Sequence, residues 1–498
     1  MSLIFKPEMI IRASLAISII YGSITNYLIS LRLNLNSDTV YLIWLSNEFW
    51  NRKNYLLDDC YLSSASNHLF TEWVPFILLP QVITKFDPST IRLMSFIIFC
   101  LVIIVFSYLI FIISNNITNS LIFAALMSNL NFYASSFYLA PVGHIGALFF
   151  TGILIVIFSR LLIKEDGWYN LYFLIILLLA GLLVFSDSLI LVWFLAPASI
   201  YYLVFVKSKS YKNNLLICLM NISSLIAYIL KVYILPLYDL PVTISDKIYF
   251  NNIPIYLDRL SMLLIGSTKL NLFTFLIILI FLYLLPLSAR QYLYSGNTKS
   301  KSIVYMLALS FFITSACYIC LSVSTYDSAT ARYLVFACLS INFLISSYSP
   351  KITPYILLIF IIISSGAISK YTYIDSIEPS RGNQNELDLI EFLYHNNLTR
   401  GYGDYWDSNI ITYLSNEKVI IRPASIIDGR LVPFRMLSCE CWFHENSSYN
   451  FYIYNKDKPM SSVENNISSL TKNAHLERIM SVNNYYIFVF NQTPLSMY

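Results

Sequence analysis

The chain has 498 residues, of which 57% are hydrophobic and 12% charged, and its mean hydropathy is +0.63. A soluble core cannot bury that much apolar surface, so the composition excludes an ordinary soluble globular protein and describes a polytopic membrane protein. The formal net charge of +4 gathers into no Lys/Arg cluster able to track phosphates, which argues against a nucleic-acid partner.

About eleven segments approach the roughly 20 apolar residues a membrane helix needs. They run over 9–30, 92–113, 117–135, 144–163, 168–185, 188–206, 215–235, 271–288, 303–323, 333–348 and 353–369. The first is long enough to span and lacks a small-residue cleavage pattern, so it reads as a span rather than a cleaved signal peptide. It is followed by a polar step, Asn34-Leu-Asn-Ser-Asp-Thr-Val-Tyr41, which places Asp38 just beyond the membrane edge. In the same outer loop, 31–91, the segments Val40–Trp50 and Trp73–Pro80 are too short to span but rich in aromatic residues. They read as interfacial helices, as does Ile253–Leu264.

Lys and Arg in the short connections set the orientation, because basic residues are retained in the cytoplasm. With the N-terminus inside, Lys6 and Arg12, Arg160 and Lys164, Lys207, Lys209 and Lys212, Arg290, Lys299 and Lys301, and Lys351 all fall in or next to the cytoplasm. The opposite face then receives the 31–91 loop, the turns near His144, Asp187 and Asp327, and everything after Lys370. Composition changes there. Residues 1–370 form the transmembrane domain, and 371–498 are polar enough for a small periplasmic α/β domain. In it Glu386–His395 has helical spacing, while Lys418–Arg422 and Tyr485–Phe490 are strand-like.

Five cysteines lie in apolar runs and read as packing residues. Cys60, Cys439 and Cys441 lie outside them, and Cys60 pairs with Cys439 or Cys441 if the compartment is oxidising.

Polar groups at the membrane edge are costly to desolvate, so several on one side are functional candidates. No Gly-rich phosphate loop, HExxH or GxSxG occurs, so ATP hydrolysis, metalloprotease and serine-hydrolase chemistry lack a motif. Asp38 precedes an aromatic helix, where capping and catalysis weigh evenly. Glu72 either caps the next helix or approaches a cavity. His144 is a lone imidazole, more often a satisfied hydrogen-bonding group than a ligand. Asp187 interrupts an apolar stretch in Phe185-Ser-Asp-Ser188, and Asp327 and Arg332 flank Ser-Ala-Thr-Ala. Arg332 either anchors a span at the headgroups or clamps a lipid-linked phosphate through paired hydrogen bonds.

Taken together, one acidic residue in the first outer loop, a Ser-Asp turn between spans (181–197), an Arg-Tyr pair opening a late span and a terminal polar domain resemble a GT-C superfamily membrane glycosyltransferase. The stretch Gly401-Tyr-Gly-Asp-Tyr-Trp-Asp-Ser-Asn-Ile-Ile-Thr-Tyr-Leu-Ser415, followed by Lys418-Val-Ile-Ile-Arg-Pro423, also resembles a segment of bacterial members. The resemblance implies a polyprenyl-phosphate sugar donor used on the non-cytoplasmic face. Asp38 would be the base for the acceptor hydroxyl and Arg332 a ligand of the departing phosphate, while Tyr405 and Trp406 would either stack on acceptor sugar rings or belong to the domain core. Some members carry a paired acidic motif where Ser37-Asp38-Thr39 has one carboxylate, so no divalent metal or other cofactor is expected. Size and span count look similar to bacterial and phage transferases that decorate O-antigen. The expectation is therefore an inverting hexosyltransferase of the bacterial inner membrane, moving a hexose from undecaprenyl phosphate to a surface glycan such as lipopolysaccharide. The alternative is a transporter or flippase of lipid-linked sugars, which would place functional polar residues near the midplane and on both faces.

Overall fold

The structure is a computed structural model and describes residues 7–63, 67–82, 87–140, 143–163, 169–205, 211–235, 237–238, 252–266, 298–320, 328–347, 363, 366–374, 383–444, 449–456 and 476–491. Among these, five helices are long and apolar enough to cross a membrane: Glu8–Ser30, Pro88–Ser114, Asn214–Ile234, Ser302–Cys320 and Thr330–Ser347. Shorter apolar helices stand between them, and the chain reads as a multi-pass membrane protein. The expected span 271–288 and most of 353–369 lie outside the described residues.

The helices begin where side chains satisfy orphan backbone donors. The helix Pro88–Ser114 starts with Asp87, whose carboxylate accepts from Thr90 N at 2.7 Å, and Pro88 occupies the first helical position, where its missing N–H costs nothing. Two expected spans are broken. The segment 117–135 divides into Ile117–Ser128 and Phe132–Leu139, because Asn131 caps a new helix by accepting from Ala134 N at 3.1 Å. The segment 188–206 has wider π turns at Leu191–Leu195 and Tyr201–Phe205 around Pro197, which can neither donate nor fit a regular α-helical turn.

Helix α1 (Pro7–Ser30) leads into α2 (Ser37–Trp50), and a π-helical segment, Leu69–Leu78, follows in the same loop. Most of α2 is buried, in a hydrophobic core where Val40, Ile43 and Leu45 meet Leu389, Ile410 and Phe443 of the C-terminal domain. That domain holds a six-stranded mixed sheet in the order β5-β4-β3-β6-β8-β7. Its strands are β3 (Arg400–Gly403), β4 (Ile420–Ile427), β5 (Arg430–Pro433), β6 (Phe451–Asn455), β7 (Leu476–Val482) and β8 (Tyr485–Phe490). Strand β3 is parallel to both β4 and β6, and the helix Tyr405–Leu414 makes the crossover that a parallel pair requires. A separate short parallel pair joins β1 (Leu62–Ser63) to β2 (Leu237–Tyr238).

Cys60 is disulfide-bonded to Cys439, while the Cys441 sulfur accepts from Arg52 Nη1 at 3.4 Å. Backbone bonds from Tyr61 N to Ser438 O (2.8 Å) and Leu437 N to Tyr61 O (3.0 Å) flank the bridge, so the first loop is stapled to the C-terminal domain. Cys60→Ser is expected to lower stability by about 2–5 kcal/mol. Thermal unfolding in detergent tests this, and reductant should bring the wild type down to the level of the variant.

Candidate active site

The loop after α1 is held by an amide: Asn383 Nδ2 donates to Leu35 O (2.8 Å) while its Oδ1 accepts from Leu35 N (2.9 Å). Helix α2 then starts at once. Its N-cap is Asn36, whose side chain accepts from Thr39 N at 3.0 Å, so Asp38 is not the cap and its carboxylate is left for other partners. The crossover helix Tyr405–Leu414 begins directly opposite, capped by Asp404, and Ser37 Oγ donates to Trp406 O at 3.0 Å. The Tyr405 hydroxyl thereby donates to Asp38 Oδ1 at 2.6 Å. From a 3-10 turn, Ser328–Leu334, Arg332 brings Nη1 to 3.9 Å from Asp38 Oδ2, with Nη2 donating to the Tyr333 hydroxyl at 3.3 Å. The Asp38 side chain is 22% exposed and that of Arg332 35%, so the pair is reachable.

Burial pushes the Asp38 carboxyl above its ordinary value of 3.8, although Tyr405, Arg332 and His144 each pull it down. Tyr405 is pushed far up, by burial and then by the Asp38 charge, so it remains a hydroxyl donor at any working pH.

A second, fully buried polar cluster adjoins this pair. His144 Nδ1 donates to Asp187 Oδ2 at 2.6 Å, and Asp187 Oδ1 also accepts from Leu189 N at 3.0 Å. His68 Nδ1 lies 3.3 Å from Glu72 Oε2, and the other oxygen of Glu72 accepts from Gly146 N at 3.1 Å. Glu72 therefore caps the helix Ile145–Ile163, not its own, and a Cβ on Gly146 would run into Thr71 O and the Glu72 side chain. Burial drives His68 down to about 3 and Glu72 up to about 7. Burial alone would raise Asp187, but the charge and hydrogen bond of His144 hold it below the usual carboxylate value. The His144 ring centroid is 5.1 Å from that of His68 and 5.8 Å from that of Tyr333, which links this cluster to the Arg332 turn.

Of the residues singled out in the sequence, Asp38, Arg332 and Tyr405 come together, and Glu72, His144 and Asp187 form the supporting cluster. Trp406 stays 38% exposed beside Tyr405, and Asp327 lies outside the described residues. Sequence reasoning passed over His68, Tyr41 and Lys231. His68 had a signal, since His-x-x-x-Glu puts His68 and Glu72 on one helical face. Tyr41 donates to Asn67 O at 3.2 Å, and Lys231 Nζ is 3.5 Å from Ser188 Oγ, next to Asp187; neither contact had a local signature.

His68, His144 and Asp187 each offer one ligand atom, all within 4.8 Å of one another. Two imidazoles and a carboxylate suit a borderline divalent ion such as zinc better than magnesium, which prefers an oxygen shell.

No family model matches the chain, and no curated protein matches it in sequence. Solved structures do. ArnT from Cupriavidus metallidurans, bound to undecaprenyl phosphate, superimposes with a TM-score of 0.57 at 9% identity, covering 97% of this chain and 99% of that one. The apo oligosaccharyltransferase of Archaeoglobus fulgidus gives a TM-score of 0.52 at 10% identity, covering 97% of this chain and 75% of that one. At such identities the likeness is one of fold, and it extends over nearly the whole chain: the fold is the one these two solved structures share.

Proposed function

We propose that the chain is a glycosyltransferase that moves a hexose from undecaprenyl phosphate to a surface glycan such as lipopolysaccharide O-antigen, inverting the anomeric centre. The reaction runs on the periplasmic face of the bacterial inner membrane. One observation carries the reading: a carboxylate with a raised pKa, Asp38, and a guanidinium, Arg332, converge from distant parts of the chain at 3.9 Å in a reachable site. The shared fold with ArnT, a protein seen holding undecaprenyl phosphate, supports the choice of donor.

Asp38 removes the proton from the acceptor hydroxyl as its oxygen attacks the anomeric carbon. The bond from that carbon to the phosphate oxygen breaks, and polyprenyl phosphate leaves with the electron pair. Arg332 is fixed where this negative charge grows, in a partly desolvated pocket where a positive charge counts for more than in water. Tyr405 orients the carboxylate. We propose that transfer needs no metal; an ion held by His68, His144 and Asp187 would add positive charge near the leaving phosphate.

Asp38 works as the carboxylate, so turnover falls as pH drops through its raised pKa, and the acidic limb of kcat/KM lies above pH 3.8. The Tyr405 hydrogen bond lowers that pKa, so Tyr405→Phe is expected to move the limb to higher pH. The direct test is transfer of radiolabelled sugar from a panel of polyprenyl-phosphate sugars to crude surface glycan by the purified protein. Turnover supports the reading. No turnover with any donor, together with movement of lipid-linked sugar across proteoliposomes, would replace it with transport.

A further inference from the structure

A second concavity lies along α2, away from Asp38. Asn47 stands about two and a half turns beyond Asp38, roughly 14 Å along the axis and on the opposite face of the helix. There α2 meets the C-terminal domain around two adjoining pockets of about 270 Å³ and 600 Å³, which share Trp44, Asn47, Asn51 and Glu417 as common walls.

The chemistry of these walls is specific. The smaller pocket is lined by three arginines, Arg52 from the turn just after α2 and Arg400 and Arg422 from the sheet, against two carboxylates, Glu48 and Glu417. Glu48 is already engaged, accepting from Trp442 Nε1 at 2.9 Å and lying 3.5 Å from Arg52. Arg400 enters no ion pair among the described residues. In the larger pocket Trp50 is 40% exposed, its indole held in place by a bond from Nε1 to Leu78 O at 3.3 Å. Among the buried polar atoms on these walls, Trp44 Nε1, a donor, and Gln81 Oε1, an acceptor, have no hydrogen-bond partner among the described residues. Buried groups of this kind are costly when unsatisfied, so a small side-chain shift that opened them to the groove would let a ligand's hydroxyls pair with them.

An exposed indole offers a flat apolar face, the orphan donor and acceptor match hydroxyl groups, and the excess guanidinium charge matches carboxylates. We propose that this groove binds a stretch of acidic oligosaccharide. Taken with the proposed function, it grips the acceptor chain at a distance from the transfer site; the binding itself does not depend on that reading.

The test is calorimetric titration of the full-length protein in nanodiscs with tetragalacturonate and, for comparison, maltotetraose. Tetragalacturonate should bind wild type and Asp38→Asn equally, and at least tenfold more tightly than maltotetraose. Arg400→Gln should weaken it at least tenfold, and Trp50→Leu should weaken both sugars, with folding checked by circular dichroism. Equal binding of the two sugars, an Arg400→Gln variant that binds like wild type, or no binding of either sugar to folded protein would each overturn the proposal. Binding to Asp38→Asn is read without turnover, so failure of the transferase reading leaves this result separately interpretable.

Discussion

Asp38→Asn is expected to lower turnover by about 10²–10⁴-fold, the usual contribution of a positioned general base, while leaving the donor KM nearly unchanged. The substitution keeps size and shape. An amide oxygen still accepts from the Tyr405 hydroxyl, now 2.6 Å from the carboxylate, and Asn36 rather than Asp38 caps α2, so the helix start is untouched. What disappears is the ability to take a proton. The residual rate should also lose the acidic limb that Asp38 imposes. Arg332→Ala differs in kind: in the proposed reaction it removes charge that faces the donor phosphate both before and during departure, so KM should rise as kcat falls. Radiolabelled transfer across substrate concentrations separates the two patterns. Equal turnover by Asp38→Asn and wild type would remove Asp38 as the base and turn attention to Glu72 and Asp187.

Much of this arrangement is legible in the sequence because charge at a membrane edge is costly, and that cost marks Asp38, Arg332, Glu72, His144 and Asp187 without any alignment. Their pairings are not legible. Glu72 caps a helix that begins at Ile145, and Asp187 takes its proton donor from His144; such partners are chosen by packing between spans, which local periodicity does not encode. The ambiguity of Asp38 between cap and base turns on Asn36, which takes over the capping. Tyr405 carries a similar lesson. As an aromatic residue in a Gly-Tyr-Gly-Asp-Tyr-Trp stretch it reads as a sugar platform or core, yet its hydroxyl holds the Asp38 carboxylate. In the helical part, Asn131 and Pro197 each alter a run that hydropathy alone treats as continuous, since window averages ignore a cap or a missing N–H. The α/β character of the C-terminal domain is readable from its helix and strand periods, whereas the order of its six strands depends on crossovers fixed by tertiary contacts.

Asp187→Ala is expected to cost about 3–5 kcal/mol, the range for breaking a buried charge pair by removing one partner. Asp187 has no exposed surface and His144 only 5%, so water cannot replace the lost carboxylate. The imidazole Nδ1 and the Leu189 N–H would both lose their acceptor. Asp187→Asn is the informative companion: its amide oxygen serves either donor but not both as the carboxylate does, so its cost should fall to about 1–3 kcal/mol. Thermal or denaturant unfolding in detergent gives both values, and a cycle with His144→Ala isolates the coupling, because the double variant should lose less than the two single losses added. The consequence reaches the chemistry through packing. The His144 ring lies 5.8 Å from Tyr333, whose hydroxyl accepts from Arg332, so loosening the pair frees the turn that aims the guanidinium at Asp38. Asp187→Asn should therefore keep most of the stability and yet raise the donor KM. An Asp187→Ala protein as stable as wild type would show that the pair supports neither the fold nor the site.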